Sequence, residues 1–341
     1  MDHSWGPRPP SGRPERYLVA MRIAIIVAGD EAETLQATPL LGTLRSAFPD
    51  AWIGLAHPAV ATGVVPGITG TDATFAIRAL DRPSPALATA RLWFQLRRMR
   101  CDVAFICGRD PGLRLAVFLN AIGRRIGEAH GPSSVLLSDR LTASSTDNSA
   151  RTWTRLATLL GVSRLRNLPH YAVTPELAQI AQQRLVGGGL DDQHLVVAIA
   201  PGRSRWHEKW NPERFAHLGN QLARRHGANV VIVGSEDDRD DAAAVRIDLA
   251  APHIDVCGEL TVEETAAVLA DCDLLVGTDS FLLHLAAAVG TSTVGLFHRG
   301  DRPRSGPYGR EHRGVQSLGS HWHRTLDAIR VDDVLAAIES L

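Results

Sequence analysis

The stretch Asp271–His298, DCDLLVGTDSFLLHLAAAVGTSTVGLFH, decides the fold class. Residues 274–276 are an uncharged apolar run, which is typical of a strand buried on both faces. Residues 281–288 predict a helix and residues 293–297 a second strand. Residue types that turn the chain or cap helices separate these runs: Gly277, Thr278, Asp279, Ser280 and Gly290. A βαβ unit of this kind points a helix N-terminus at the turn and can bind phosphate there, although any α/β protein shows the same pattern.

Composition excludes several classes of protein. Lys and Arg number 36 against 37 Asp and Glu, so the formal net charge is −1 and a nucleic-acid-binding surface over the whole protein is not expected. Aromatic residues make up 5%, too few for platforms that stack single strands. The four cysteines lack Cys-x-x-Cys spacing, which favours small buried thiols in a reducing cytoplasm over zinc sites or disulfides. No apolar run reaches the ~18 residues of a membrane span.

The length of 341 residues exceeds the usual limit of one hydrophobic core, so two domains are expected. Strand and helix patterns alternate from Met21 onward. We predict an N-terminal domain over 21–174 and a C-terminal domain over 175–341, each a parallel sheet covered by helices. Residues 1–20, rich in proline and arginine, are predicted to be a disordered leader or to precede a natural start at Met21. Ligands of such sheets bind beyond the carboxyl ends of the strands.

Three segments of the first domain carry individual predictions. Helices are predicted over 88–100 and 115–122, and a polar surface loop over 139–152. The first helix carries a basic cluster, which is more typical of a solvated face than of a binding surface: Arg91, Arg97, Arg98 and Arg100.

A second turn of small residues follows the predicted strand 195–200. It reads Pro201-Gly202-Arg203-Ser204, and Lys209 and Trp210 follow shortly before a predicted helix. Backbone N–H groups of such a turn can bind phosphate, and Lys209 would add a mobile positive charge. A lysine that merely flanks a helix on the surface is the plainer alternative.

Together these motifs resemble glycosyltransferase family 9, the ADP-heptose:lipopolysaccharide heptosyltransferases. Its members carry a P-G-x…K-x-W-P segment, a strand that ends in glycine before acidic residues, a G-x-x-[ST] hinge, and D-x-x-[IV]-x-x-D-[ST]-G-x-x-H-x-A-A-A. The corresponding segments here are 201–212, 231–238, 258–261 and 273–288. The resemblance extends from Met21 to the C-terminus and is stronger in the second half.

The resemblance implies a GT-B fold, with an N-terminal acceptor domain facing a C-terminal nucleotide-sugar domain, and inverting chemistry that needs no metal ion or other cofactor. A helix N-terminus and a lysine would stabilise the charge of the leaving diphosphate. By position, the diphosphate contacts are Gly202, Arg203, Ser204, Lys209 and the backbone N–H groups of Ser280 and Phe281. Asp238 or Glu236 would reach the ribose of the donor, Leu260 would pack beside its nucleobase, and Asp279 would orient its sugar. Asp279 could instead be only an N-cap, and His284 is as readily a core histidine as a phosphate contact.

An inverting transfer also requires a carboxylate beside the acceptor hydroxyl. In the family this base is the Asp of a Gly-Asp pair, six residues before a proline. Here Gly29-Asp30 lies nine residues before Pro39, and the residue in register is Glu33. We therefore favour Glu33 over Asp30, with Glu31 third. Phe281 stands where the family has glycine, which leaves the identity of the donor open.

Three functions fit these observations. The first is transfer of heptose from a nucleotide-diphosphate donor, ADP-heptose or a similar sugar nucleotide, to a lipopolysaccharide core. The second is the same chemistry on another glycan, a glycolipid or a natural product. The third is a nucleotide-sugar-binding relative that has lost catalysis and serves as an assembly partner. Each implies a cytoplasmic protein without a nucleic-acid partner, and peripheral contact with the inner face of the membrane is left open.

Overall fold

The computed structural model describes residues 21–78, 86–144, 147–166, 168–190, 194–202, 209–298, 306–309, 311–317 and 326–341. Within these ranges, each half of the chain forms a parallel six-stranded sheet with helices on both faces. The predicted α/β class with two Rossmann-like domains is thereby confirmed. The predicted leader over 1–20 lies outside the described residues.

The first sheet has the strand order β3-β2-β1-β4-β5-β6. Its strands are β1 (Arg22–Val27), β2 (Trp52–Pro58), β3 (Ala73–Ile77), β4 (Val103–Cys107), β5 (Arg124–Glu128) and β6 (Asp139–Leu141). Its helices are α1 (Glu31–Gln36), α2 (Thr38–Ala47), α3 (Ala86–Leu96), α4 (Pro111–Leu119) and α5 (Ser149–Leu156).

The second sheet has the same connectivity, in the order β12-β11-β10-β7-β8-β9. Its strands are β7 (Val196–Ala200), β8 (Asn229–Ile232), β9 (His253–Asp255), β10 (Leu274–Thr278), β11 (Ser292–His298) and β12 (His312–Ser317). The helices of the second half are α6 (Pro175–Gly187), α7 (Pro212–His226), α8 (Arg239–Asp248), α9 (Val262–Ala270), α10 (Phe281–Val289) and α11 (Val331–Glu339). In both sheets the strand order reverses beside the first strand, which is where such folds bind ligands.

Local sequence explains why the second half folds as expected. All five residues of β10 are buried, because its neighbours β7 and β11 and the covering helices leave neither face to water. Helix α7 begins with Asn211 as N-cap and Pro212 in its first turn, and it ends at Gly227, whose φ of 67° suits glycine. Trp210 is fully buried, contacts Phe215 edge to face at 4.7 Å, and donates from Nε1 to the carbonyl oxygen of Ile329 at 2.9 Å.

The linker between the two halves, residues 168–174 directly before α6, forms backbone hydrogen bonds with both halves. The N–H of Tyr171 donates to the carbonyl of Ala288 at 2.9 Å, and the N–H of Ala172 donates to that of Gly67 at 2.8 Å. A Cβ at Gly67 would overlap the ring of Tyr171, so only glycine allows this approach. One buried hydrophobic cluster extends from β1 to α10 across both halves. The predicted boundary at residues 174 and 175 coincides with the start of α6, but the division into independent domains stays a prediction.

Several predicted boundaries were wrong. The helix predicted over 88–100 ends as an α-helix at Leu96 and continues as a 3₁₀ turn over Arg97–Met99. The helix predicted over 115–122 begins earlier, because Asp110 caps it and Pro111 occupies its first turn. The polar segment 139–152 is not a loop throughout, since it contains β6 and the start of α5; Arg124 pairs with Asp139 at 2.7 Å and holds β6 at the sheet edge.

Two expectations concerned cysteines and membrane spans. The four cysteines are free thiols, and three of them are buried: Cys107, Cys257 and Cys272. In the described part of the chain, no helix combines the length and the apolar character that crossing a bilayer requires.

Candidate active site

A cavity of about 660 Å³ opens at the carboxyl ends of β7, β8 and β10, between the two halves. Its lining residues are Glu31, Ala200, Gly202, Lys209, Gly234, Ser235, Asp237, Asp238, Asp240, Asp241, Leu260, Val262, Thr265, Ser280, Phe281 and Leu282. A smaller space of about 70 Å³ adjoins it and is lined by Asp30, Glu31, Ala32, Asp279, Ser280, Phe281 and His284. A larger hollow of about 800 Å³ lies at the other end of α10 and contains none of the predicted site residues.

The turn after β7 approaches the acidic turn after β8. A Cβ at Gly202 would overlap the carboxylate of Asp238, so glycine is required for this approach. The Asp238 carboxylate accepts hydrogen bonds from the N–H of Ser235 at 2.9 Å and from its hydroxyl at 2.7 Å. Thr278 donates from its hydroxyl to the carbonyl of Gly202 at 2.9 Å, which ties the two predicted phosphate turns together. Arg203 and Ser204 lie outside the described residues.

Lys209 lies on the wall of the cavity, where its ammonium group forms an ion pair with the carboxylate of Asp241. The Asp241 side chain is 11% exposed and that of Lys209 is 37% exposed. Among the described lining residues, Lys209 is the one cation and five are acidic. Among these described residues, Lys209 therefore supplies the positive charge that a polyanionic ligand would meet.

The N-terminus of α10 lines the same cavity. Its N-cap, Ser280, makes no side-chain capping hydrogen bond, and Ser280, Phe281 and Leu282 line the cavity. The N–H groups of a first helical turn have no partner within the helix, so this end can bind an anion. Asp279 is buried beside it in the adjoining space.

His284 is buried, and its Nδ1 lies 3.5 Å from the Nε2 of Gln36, a residue of α1. This contact joins α10 to the N-terminal half across the cleft. The structure thus places His284 between the halves, next to the smaller space, where its side chain meets a side chain rather than only backbone.

The three candidate bases all lie at the N-terminus of α1 and face different directions. Asp30 and Glu33 form a capping box, in which the N–H of Glu33 donates to Asp30 Oδ1 at 2.9 Å and the N–H of Asp30 donates to Glu33 Oε2 at 3.2 Å. Glu31 lines both cavities, and burial, with a further contribution from Asp30, raises the pKa of its carboxyl group.

Glu33 lines neither of the two adjoining cavities. Burial chiefly raises the pKa of the Cys107 thiol, and the charges of Glu128 and Glu33 add to it. Glu33 lies in α1, directly after β1, and Glu128 is the last residue of β5, so both belong to the N-terminal half. Arg109 pairs with Glu128 there at 2.7 Å.

Of the two remaining predicted site residues, one lines the cavity and the other does not. Leu260 lines the cavity, whereas Glu236 is exposed and does not line it. Sequence reasoning missed Asp241, the ion-pair partner of Lys209. Its spacing of three residues from Asp238, across the start of α8, was a usable signal, because residues so spaced share a helix face.

Within the described residues, no group of three histidine, cysteine or acidic side chains is arranged to hold a metal ion.

Two facing Rossmann-like halves with a cavity between them define the GT-B class of fold. The family model of glycosyltransferase family 9 (heptosyltransferase) matches residues 116–326, more than half of the chain. The chain therefore belongs to glycosyltransferase family 9, and both the recognised family and the predicted enzyme class are confirmed.

Individual relatives agree with this assignment. The lipopolysaccharide heptosyltransferase 2 of Salmonella typhimurium is 23% identical over 343 residues, covering 94% of this chain and 98% of the relative. The structure of the glycosyl transferase family 9 protein from Veillonella parvula has a TM-score of 0.81 at 19% identity and covers 94% of this chain and 96% of that one. The E. coli ADP-heptose lps heptosyltransferase II gives 0.72 at 19% identity, with coverage of 94% and 98%. At such identities the structural similarity establishes the fold.

Proposed function

We propose that this protein is an inverting, metal-independent transferase that moves a heptose from ADP-heptose to a hydroxyl group of a lipopolysaccharide core. The observation that carries the proposal is that Lys209 and the N-terminus of α10 line the same cavity. The names of the relatives, which include lipopolysaccharide heptosyltransferases and a heptosyltransferase solved with ADP, support the choice of substrates.

The first role of the cavity is to stabilise the leaving group. As the bond between the anomeric carbon and the diphosphate oxygen breaks, the sugar becomes oxocarbenium-like and negative charge accumulates on the phosphates. The Lys209 ammonium and the N–H groups of Ser280 and Phe281 stabilise that charge more in the transition state than in the bound donor. Gly202, with Arg203 and Ser204, completes the diphosphate contacts in our proposal.

The remainder of the donor binds around this centre. Asp238 holds the ribose and Leu260 packs beside the nucleobase. Asp238 is preferred over Glu236 for the ribose, because Asp238 lines the cavity and Glu236 does not. Asp279 orients the sugar from the smaller space that adjoins the helix N-terminus. His284 stands beside the same space and contacts the other half of the molecule, so it can couple donor binding to the position of α1.

Deprotonation of the acceptor is assigned to Glu33. Its carboxylate takes the proton of the acceptor hydroxyl, the hydroxyl oxygen forms the new bond to the anomeric carbon, and the diphosphate departs from the opposite face, which inverts the configuration. The position of Glu33 in the helix that directly follows β1 supports this role, because the carboxyl ends of the strands of the N-terminal half are where an acceptor held by that half would bind. Asp30, whose carboxylate caps α1, and Glu31, which faces the donor, are the alternatives.

The acceptor and the location are further parts of the proposal. A core glycolipid as acceptor would bring a cytoplasmic enzyme to the inner face of a membrane. Transfer to a different glycan or to a natural product, and loss of catalysis in an assembly partner, remain the alternatives.

A transfer assay with labelled donors tests the proposal directly. We expect transfer from ADP-heptose to a lipopolysaccharide core acceptor, unchanged in rate by EDTA, with a product anomeric configuration opposite to that of the donor. Transfer only from GDP- or UDP-sugars would refute the donor assignment, and retention of configuration would refute the mechanism. ADP binding without transfer to any acceptor in a glycan panel would favour the assembly partner.

A further inference from the structure

Helices α3 and α4 of the N-terminal half share an outer face that is both apolar and basic. Their inner faces fill the core beneath the sheet. On the outer side, Phe94 of α3 is 56% exposed, and Leu119 of α4 is 54% exposed. The other large apolar side chains exposed on α4 are Leu115 and Phe118. These four side chains and the arginines around them, Arg91, Arg97, Arg98 and Arg125, are here called the outer patch.

Three arginines of the outer patch lie against aromatic rings. The guanidinium carbon of Arg97 is 5.4 Å from the Trp93 ring centre, and that of Arg98 is 5.5 Å from the Phe94 ring centre. Arg125 lies 5.3 Å from the ring centre of Phe118. Such contacts hold a guanidinium group at the surface beside an apolar ring.

Positive charge is concentrated in this part of the chain. Segment 86–101 contains four arginines and no acidic residue, although the whole chain has a formal net charge of −1. No ion pair found between described residues involves Arg91, Arg97 or Arg98. The positive charge of these three arginines is therefore available to a partner.

The outer patch is also fixed before any partner binds. Trp93 donates from Nε1 to the carbonyl of Leu119 at 3.0 Å, and Asn120 donates from its side-chain amide to the carbonyl of Trp93 at 3.1 Å. These reciprocal bonds hold the ends of α3 and α4 together, so little conformational entropy is lost when the surface docks.

We propose that the outer patch binds the surface of a bilayer that contains anionic phospholipids. Its phenylalanines and leucines would enter the boundary between headgroups and acyl chains, while Arg91, Arg97 and Arg98 bind lipid phosphates. Arg125 has a structural part, because its guanidinium group donates to the backbone carbonyls of Ile122 and Leu136. A symmetric dimer through the same face would place the arginines of one copy against those of the other, which opposes self-association.

The outer patch is separate from the cavity. Helix α4 begins beside the cleft, directly after β4, and its eight-residue rise places Leu119 about 12 Å along the helix from that edge. The proposed function requires a membrane contact but does not specify the surface that makes it. The present inference depends only on the exposed residues of the outer patch and not on the reaction. Failure of heptosyl transfer would therefore leave it untouched.

Sedimentation with lipid vesicles tests the charge. The full-length protein is mixed with vesicles of phosphatidylcholine, alone or with phosphatidylglycerol. We expect binding only when phosphatidylglycerol is present, and at least about tenfold weaker binding for the double variant Arg97→Glu, Arg98→Glu. The matched control is Arg224→Glu, Arg225→Glu, which makes the same change of charge on exposed residues of α7 and should bind like the wild type.

A second pair of variants tests the apolar contribution. Phe118→Ser with Leu119→Ser should also weaken vesicle binding, whereas Ile247→Ser, on an 81% exposed residue of α8, should not. All variants should keep the thermal shift that ADP produces. Equal binding of the patch variants and their controls, or equal binding to both lipid compositions, would overturn the proposal. So would a concentration-dependent dimer in ultracentrifugation that the Phe118 variant abolishes, because the face would then join two copies.

Discussion

The ammonium group of Lys209 pairs with the carboxylate of Asp241 inside the cavity between the two halves, although the two residues are separated by 32 positions in the chain. The pair joins the segment before α7 to the first turn of α8, and it holds the lysine where a diphosphate would bind. Because the Asp241 side chain is largely buried, removing either partner leaves the other in an unfavourable position.

The ion pair leads to a non-additive prediction for Lys209. Lys209→Ala should lower kcat/KM for transfer by about 10²-fold, since the transition state loses a charged donor and meets the unpaired Asp241 carboxylate. Adding Asp241→Asn should recover part of this loss, because the repulsive charge is gone. Steady-state kinetics on the two single variants and the double variant measures the coupling. Strictly additive losses would show that Asp241 does not act through Lys209.

The capping box determines how the base must be tested. Glu33→Gln keeps an oxygen that can accept from the N–H of Asp30, so α1 stays capped while the basic group is lost. We expect transfer to fall by at least about 10²-fold with donor affinity near that of the wild type. Asp30→Asn is the matched control within the same capping box. Full activity of Glu33→Gln, with loss in Asp30→Asn or in Glu31→Gln, would reassign the base accordingly.

Glu31 should make donor binding depend on pH. Burial and the neighbouring Asp30 raise the pKa of its carboxyl group, so it remains neutral to a higher pH than an ordinary glutamate. As the pH rises through this pKa, the carboxylate becomes charged in the cavity and repels the diphosphate, and donor affinity should fall by roughly tenfold. Calorimetric titration with ADP at a series of pH values, from below the ordinary pKa of a glutamate upward, measures this affinity. The affinity should fall with rising pH in the wild type and stay constant in Glu31→Gln. A parallel decrease in both proteins would assign it to another group.

Phe281 should restrict the donor site. Its side chain lines both the main cavity and the smaller space at the N-terminus of α10, at a position where family members carry glycine. Phe281→Gly should therefore widen the set of sugar nucleotides accepted and weaken the preference for the native donor by roughly tenfold. Competition between labelled donors measures the preference. An unchanged preference would show that the ring does not contact the donor.

His312 should make the folded state sensitive to acid. Burial, with a contribution from Arg313, lowers the pKa of His312 to about 4, from 6.5 for a free histidine. The unfolded chain therefore binds the proton more readily, so stability is complete above pH 6.5 and falls as the pH decreases towards 4. The difference corresponds to about 3 kcal/mol of unfolding free energy. The free energy of unfolding, measured with urea, should change with pH by about 3 kcal/mol less in His312→Gln than in the wild type. His226→Gln, at the exposed end of α7, should follow the wild type.

Much of this molecule could be predicted from short stretches of sequence. The run 274–276 specified a buried strand, because an uncharged apolar segment of that length is stable only where both faces are covered. Asn211, Pro212 and Gly227 specified both ends of α7 through the backbone preferences of those residues. Parallel connectivity then required the carboxyl ends of β7, β8 and β10 to share one edge, which brought Gly202, Lys209 and Ser280 to one cavity as predicted.

Other features depended on contacts between segments distant in sequence. The pairing of Lys209 with Asp241, and the contact of His284 with Gln36, arise only when α8 and α10 take their final rotations. The different directions of Glu31 and Glu33 are set by the capping box and by the packing of α1 against α10. The outer patch exists because two helices that are separate in sequence lie side by side. Sequence alone determined the elements and the edge where they meet, since these follow from local preferences and strand polarity. Tertiary structure decided which side chains face one another, because that depends on how the packed helices are oriented.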